Sequence, residues 1–151
     1  MRRLLVCALV CVLSASCVPY DKEAAINREK GRIQGAWTPL SMTYHGRQLD
    51  KDELDTFKVV IGNSSILVEG KLLREESTMS KESWYWLNPM PDPKEIDLGF
   101  NGTMSWGIYK LDGDILTIRI GGKAGRPADF ETSHPAGYET YVLKRSGAAK
   151  N

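Results

Sequence analysis

From residue 33 onward, apolar and polar residues alternate along short stretches, the pattern of strands with one buried face. Phe57, Val59 and Ile61 are interleaved with Lys58 and Val60. Ile96, Leu98 and Phe100 are interleaved with Asp97 and Gly99, and Leu116, Ile118 and Ile120 with Thr117 and Arg119. Each set shares parity, so each predicts a strand whose named apolar residues face a core. The clearest hairpin joins 106–111 to 115–120 through Asp112-Gly113-Asp114, because Asp-Gly between two β-prone runs suits a tight turn. Asn101-Gly102 is a second tight-turn dipeptide, and 45–47 and 62–64 are turns as well. Further strands are expected over 33–44, 65–68, 72–75, 83–87 and 140–145. Loops are expected over 88–94, with Pro89, Pro91 and Pro93, and over 121–127. Pro39 cannot donate to a ladder, so the first strand is at an edge or bulged there. One extra residue would bring Trp37, Leu40 and Met42 onto the same face.

Helical signals are few. Residues 21–30 predict a short helix capped by Asp21, with Gly31 ending it in the left-handed conformation. Asp50 and Glu53 have capping-box spacing and predict one or two turns through Phe57. Eight or nine short strands with no long helix to cover them must close on themselves or pack as two sheets. The expected fold is all-β: an antiparallel up-and-down β-barrel of about eight strands with a short N-terminal helix.

The N-terminus changes the picture of where the protein works. Arg2 and Arg3 precede ten residues without a polar side chain, from Leu4 to Leu13, which is short for a bilayer span and suited to an export signal. Ser14-Ala15-Ser16-Cys17 resembles a bacterial lipobox, and the resemblance implies a lipid on Cys17 after cleavage. An ordinary signal peptide cut after a small residue is the alternative. The chain then divides into a signal over 1–17, a tether with the short helix over 18–32, the barrel over 33–145 and a polar tail over 146–151. The expected location is the cell envelope, on the periplasmic or outer-membrane side, with the membrane as a partner through the lipid. Cys7, Cys11 and Cys17 are the three cysteines of the chain, so the barrel folds without disulfides. A formal charge of +1 over 151 residues argues against a nucleic-acid partner.

Several segments together resemble an uncharacterised lipocalin-like family abundant in planctomycete bacteria. They are Ile33-Gln34-Gly35-Ala36-Trp37, Lys94-Glu95-Ile96-Asp97-Leu98, 107–114, Arg126-Pro127 with Phe130, and Tyr141-Val142-Leu143-Lys144-Arg145. The resemblance spans residues 33–145. It implies a barrel in which the Gly35-x-Trp37 motif closes the base, with Arg145, or else Lys144, over the Trp37 ring. The other lipocalin signature segments and cysteines are missing here, and the family implies a fold without supplying a function.

Candidate chemistry is sparse. His45 and His134 are the two histidines and have no ligand spacing, so no metal site is expected. Ser133 and His134 are sequence neighbours near Asp129, which is not how a folded triad is built, and there is no Gly-x-Ser-x-Gly elbow. Gly121-Gly122-Lys123 lacks the rest of a phosphate loop. The carboxylate pairs Glu75 and Glu76, Asp112 and Asp114, and Asp129 and Glu131 read as turns and solvated surface. The reading is of a protein that is not an enzyme and carries no cofactor. The four tryptophans, Trp37, Trp84, Trp86 and Trp106, are more informative. They either pack the barrel or, for Trp86 or Tyr85 beside the proline-rich loop, line a pocket mouth; Phe57, Phe100 and Ile118 of the apolar interior are the other candidate ligand-lining residues. Two functions stay open: a binding module for a small apolar ligand, and an envelope interaction module with a filled barrel. A hydrolytic enzyme is the minor alternative.

Overall fold

A computed structural model describes residues 21–122, 125–132 and 137–147. Its elements are α1 (Lys22–Ile33), β1 (Gly35–Tyr44), β2 (Arg47–Gln48), α2 (Lys51–Leu54), β3 (Lys58–Ile61), β4 (Ser65–Leu72), β5 (Ser77–Asn88), β6 (Lys94–Phe100), β7 (Thr103–Asp112), β8 (Ile115–Ile120) and β9 (Glu139–Arg145). Consecutive strands pair antiparallel from β3 to β9. β9 returns to β1, which also pairs with β3, so eight strands close into a barrel. The two-residue β2 lies outside the ring on β1. Closure removes the unpaired edges that an open sheet of this size would expose.

Turn chemistry follows the sequence closely. Asn101 and Gly102 both have positive φ, as do His45 and Gly46, as tight hairpins between twisted strands require. Asp50 and Glu53 form the reciprocal capping box of α2. Asp21 Oδ1 accepts from the backbone N–H groups of Glu23 and Ala24 at the start of α1.

Four local expectations are corrected. The helix does not stop at Gly31: it runs to Ile33, and β1 starts at Gly35 rather than at residue 33. The bulge falls between Pro39 and Ser41, and Leu40 is the extra residue. Leu40 therefore points to solvent while Trp37, Pro39 and Met42 are buried. Residues 65–72 form one strand rather than two. Gly70 does not break it but makes room for Phe57, whose ring atoms would lie 2.4–2.6 Å from a Cβ at that position. Finally, β5 begins at Ser77, six residues before the expected start, and this proves decisive for the site.

The inward residues form two clusters. The larger contains Ile33, Trp37, Val59, Ile61, Ile66, Tyr85, Leu87, Ile96, Tyr109, Leu116, Ile118, Ile120 and Leu143. The smaller gathers Met42, Leu49, Phe57 and Leu72 beside β1 and β2.

Next to this second cluster, Glu53 of α2 is fully buried. Its carboxylate accepts from Arg47 Nη1 and Nη2 at 2.6 and 3.0 Å. Arg47 reaches on to Glu75 at 3.1 Å, so one guanidinium ties β2, α2 and the turn after β4 together. The Arg47 bonds hold Glu53 down at about 2 although burial pushes it up. A carboxylate lowered on folding stabilises the fold above its unfolded value and loses that contribution as the pH falls towards its folded value. Between the ordinary glutamate value of 4.5 and about 2, stability should therefore fall as Glu53 protonates. Urea midpoints measured across that interval should drop for the natural chain and show a flatter pH slope for Glu53→Gln.

Candidate functional site

The two ends of the barrel are built differently. One end is stoppered by α1. Ile33 is fully buried there, and the Trp37 indole Nε1 donates to the Ile33 carbonyl at 2.9 Å. The Arg145 guanidinium lies 4.3 Å from the centre of the Trp37 ring. Its Nη1 donates to the Gln34 carbonyl at 3.0 Å, and its Nη2 donates to the Arg32 carbonyl. The last carbonyls of a helix lack intrahelical donors and carry partial negative charge. Trp37 and Arg145 supply those donors, so they pin the C-terminus of α1 into the barrel. Gly35 forms the corner between helix and strand at φ 127°, a conformation that other residues rarely adopt.

The same stopper is fastened by Glu29, a buried acid on α1. It pairs with Lys94 at 2.9 Å and Arg32 at 2.7 Å and accepts from the Tyr109 hydroxyl at 3.2 Å. Burial would raise its pKa, but the two cations outweigh this and hold it below the ordinary value. Burial, and then the Glu29 charge, push the Tyr109 phenol upward, so Tyr109 stays a neutral donor.

The opposite end is open and leads into a cavity of about 560 Å³. Its walls include Leu98, Phe100 and Ile120 together with Lys81, Ser83, Ser105, Glu139 and Tyr141, and His45 and Tyr138 stand at its rim. Beneath Lys81 the floor narrows to an apolar recess of about 40 Å³ lined by residues such as Val59, Ile66, Val68, Ile118 and Leu143. A cavity of this size, with apolar walls and a few convergent polar groups, is typical of a small-molecule site. Tyr141 donates to Glu139 at 2.9 Å, and burial followed by the Glu139 charge raises its pKa.

The expected site residues separate on this geometry. Phe100 and Ile118 are on the cavity and recess walls. Three others are corrected. Phe57 is buried in the second cluster against Gly70 and touches neither space. Tyr85 points inward but towards the stoppered end, where its hydroxyl donates to the Gly62 carbonyl at 2.8 Å and Lys30 lies over its ring. Trp86 points outward and is 54% exposed. A strand that starts at Ser83 leaves out Lys81, while Ser83, Ser105 and Glu139 carry no local signal of a shared cavity. Extending the strand back two residues puts Lys81 and Ser83 on the inward face with Tyr85 and Leu87. Cys17, His134 and Lys123 lie outside the described residues.

The outer wall carries a second feature. Trp84 and Trp86 on β5 and Met104 and Trp106 on β7 are all exposed, across the small Gly99 of β6. A Cβ on Gly99 would meet the Trp86 ring at 3.1 Å and Met104 Sδ at 3.4 Å, so these two side chains close over Gly99, with Trp84 and Trp106 at the neighbouring register positions of the same face. Trp86→Ser should change stability by about 1 kcal/mol or less in a urea melt, because half of the indole is already in water. Behind this layer, residues 125–132 fold over the outside of the barrel. Arg126 bonds the Gly107 carbonyl and pairs with Asp97 at 2.7 Å, and Arg119 lies against Tyr138.

Among the described residues, no group of His, Cys, Asp and Glu is placed to hold a metal ion, and no helix is long and apolar enough to cross a membrane. The fold and site define an eight-stranded antiparallel barrel stoppered at one end by a helix and hollow at the other. In comparisons with family models, curated proteins and solved structures, the chain has no match.

Proposed function

We propose that this protein is a binding module that holds one small amphipathic molecule in the open end of its barrel, and that it works in the cell envelope, tethered by a lipid on Cys17. The single observation that carries the binding reading is the cavity of about 560 Å³, which combines apolar walls with inward polar side chains. Export and anchoring rest on the charged, apolar and small-residue order of residues 1–17. Membership of the lipocalin-like family rests on the segments between residues 33 and 145. The Trp37–Arg145 pairing supports it.

Titration with a fluorescent short-chain fatty-acid probe tests the binding reading. Saturable uptake at micromolar concentration is the expected result, with the probe displaced by unlabelled acid. A linear, non-saturable signal would rule it out. Mass spectrometry of membrane-extracted protein tests the anchor: a diacylglycerol thioether on Cys17 is expected, and an unmodified N-terminus at Val18 would refute it.

A second reading is favoured by the exposed layer of Trp84, Trp86, Met104 and Trp106. Exposed apolar patches of this kind mark interaction surfaces, and tryptophan dominates their energetics. In this reading the outer wall contacts another envelope component while the cavity holds its ligand.

A further inference from the structure

The cavity has an uneven charge distribution. Lys81 projects inward from β5, lines both the cavity and the recess beneath it, and reaches over the Phe100 ring at 5.0 Å. Among the described residues, no carboxylate lies within ion-pair distance of its ammonium, and it donates no side-chain hydrogen bond. Ser83, two residues on, is buried and Ser105 on β7 is half-buried, and neither hydroxyl has a protein partner among the described residues. Among the described residues, the buried acids are matched, Glu29 with Lys94 and Arg32 and Glu53 with Arg47, and the buried Arg119 donates to the Thr132 carbonyl, whereas Lys81 has no such partner. Here a cation and two hydroxyls converge on one space and are left unpaired by the protein.

The acid of the cavity does not supply the missing partner. Glu139 lies on β9, four strands from β5 whichever way round the ring of eight is followed, and its carboxylate accepts from Tyr141 instead. The walls therefore present a cation on one side and a carboxylate on the other, with apolar surface from Leu98, Phe100 and Ile120 between them. His45 at the rim completes the titratable groups that line this space together with Tyr138.

We infer that the ligand carries an anionic head, a carboxylate or a phosphate monoester, held by Lys81 with hydrogen bonds from Ser83 and Ser105, and a short apolar tail. This rests on the cavity being the ligand site. A lysine ammonium in a partly desolvated wall is a point-charge receptor for such anions, and adjacent hydroxyls satisfy their remaining lone pairs. The tail is short because the recess under Lys81, at about 40 Å³, has room for only a few waters at roughly 10–15 Å³ each. A long acyl chain would have to lie back along the cavity wall and out through the mouth.

Calorimetric titration of the intact chain with octanoate, octyl phosphate, octanol and octylammonium tests this directly. Both anions should bind saturably and about tenfold or more tighter than octanol, the usual scale for a charge-assisted hydrogen bond, with octylammonium weakest. Lys81→Met, close in shape to the lysine stem, should bring octanoate down to the level at which the same variant binds octanol, with the thermal melt and circular dichroism showing that the variant is folded. Lys81→Arg should keep the preference for anions. If octanoate and octanol bind equally and Lys81→Met changes neither, the anionic head is refuted while the cavity stands as a ligand site. If none of the four binds, the cavity is not a ligand site and the inference falls with it.

Discussion

Trp37→Ala is expected to destabilise the protein by about 3–5 kcal/mol, the range for truncating a buried tryptophan. Three losses act together. The indole is 2% exposed and occupies the stoppered end of the barrel, so its removal leaves a void beneath α1. Its N–H caps the Ile33 carbonyl, and without it that buried acceptor has no donor. The face that receives the Arg145 guanidinium disappears too, which removes a contribution of about 0.5–2 kcal/mol. Arg145→Ala should cost less, about 1–3 kcal/mol, but more than a bare cation–ring contact, because Arg145 also donates to the Gln34 and Arg32 carbonyls. Urea melts of the two variants give the comparison. Equal stability of Trp37→Ala and the natural chain would mean that the stopper does not hold the barrel. Hydrogen exchange should also show α1 opening first in both variants, since each loses a tie between its C-terminus and the barrel.

Phe57→Ala is expected to cost a similar amount, about 3–5 kcal/mol, without changing ligand affinity. Phe57 is 4% exposed and is central to the smaller cluster with Met42, Leu49 and Leu72. Its ring sits where a side chain on Gly70 would otherwise be, so the two positions are complementary. The converse change, Gly70→Ala, should therefore also destabilise, by about 1–3 kcal/mol, as the new methyl drives the ring out of place. Because Phe57 is absent from the cavity walls, octanoate should bind Phe57→Ala as tightly as the natural chain at temperatures where both are folded. A loss of binding with retained fold would place Phe57 at the ligand and overturn the division of the interior described here.

The barrel was legible in the sequence because a strand with one buried face writes its parity into the chain. Phe57, Val59 and Ile61, or Leu116, Ile118 and Ile120, need no tertiary information to be assigned to one face, and Asn101-Gly102 and Asp112-Gly113 need none to be assigned to turns. The Asp50–Glu53 capping box was legible for the same reason, since its partners are three residues apart. Where both parities are apolar, this signal fails. In Ser83-Trp84-Tyr85-Trp86-Leu87 either face could be the core, and only the closed ring decided that Tyr85 is inside while Trp84 and Trp86 are in solvent. The bulge at Leu40 was foreseen, but which residue it would eject depended on pairing with β9, over a hundred positions away. The cavity was the least legible feature. It exists because Lys81, Ser83 and Ser105, small or polar residues from strands that are not neighbours, face the same space, while the bulky Phe57 and Tyr85 are drawn into other parts of the interior. A volume left unfilled is a property of how all eight walls meet, and no local stretch of sequence encodes it.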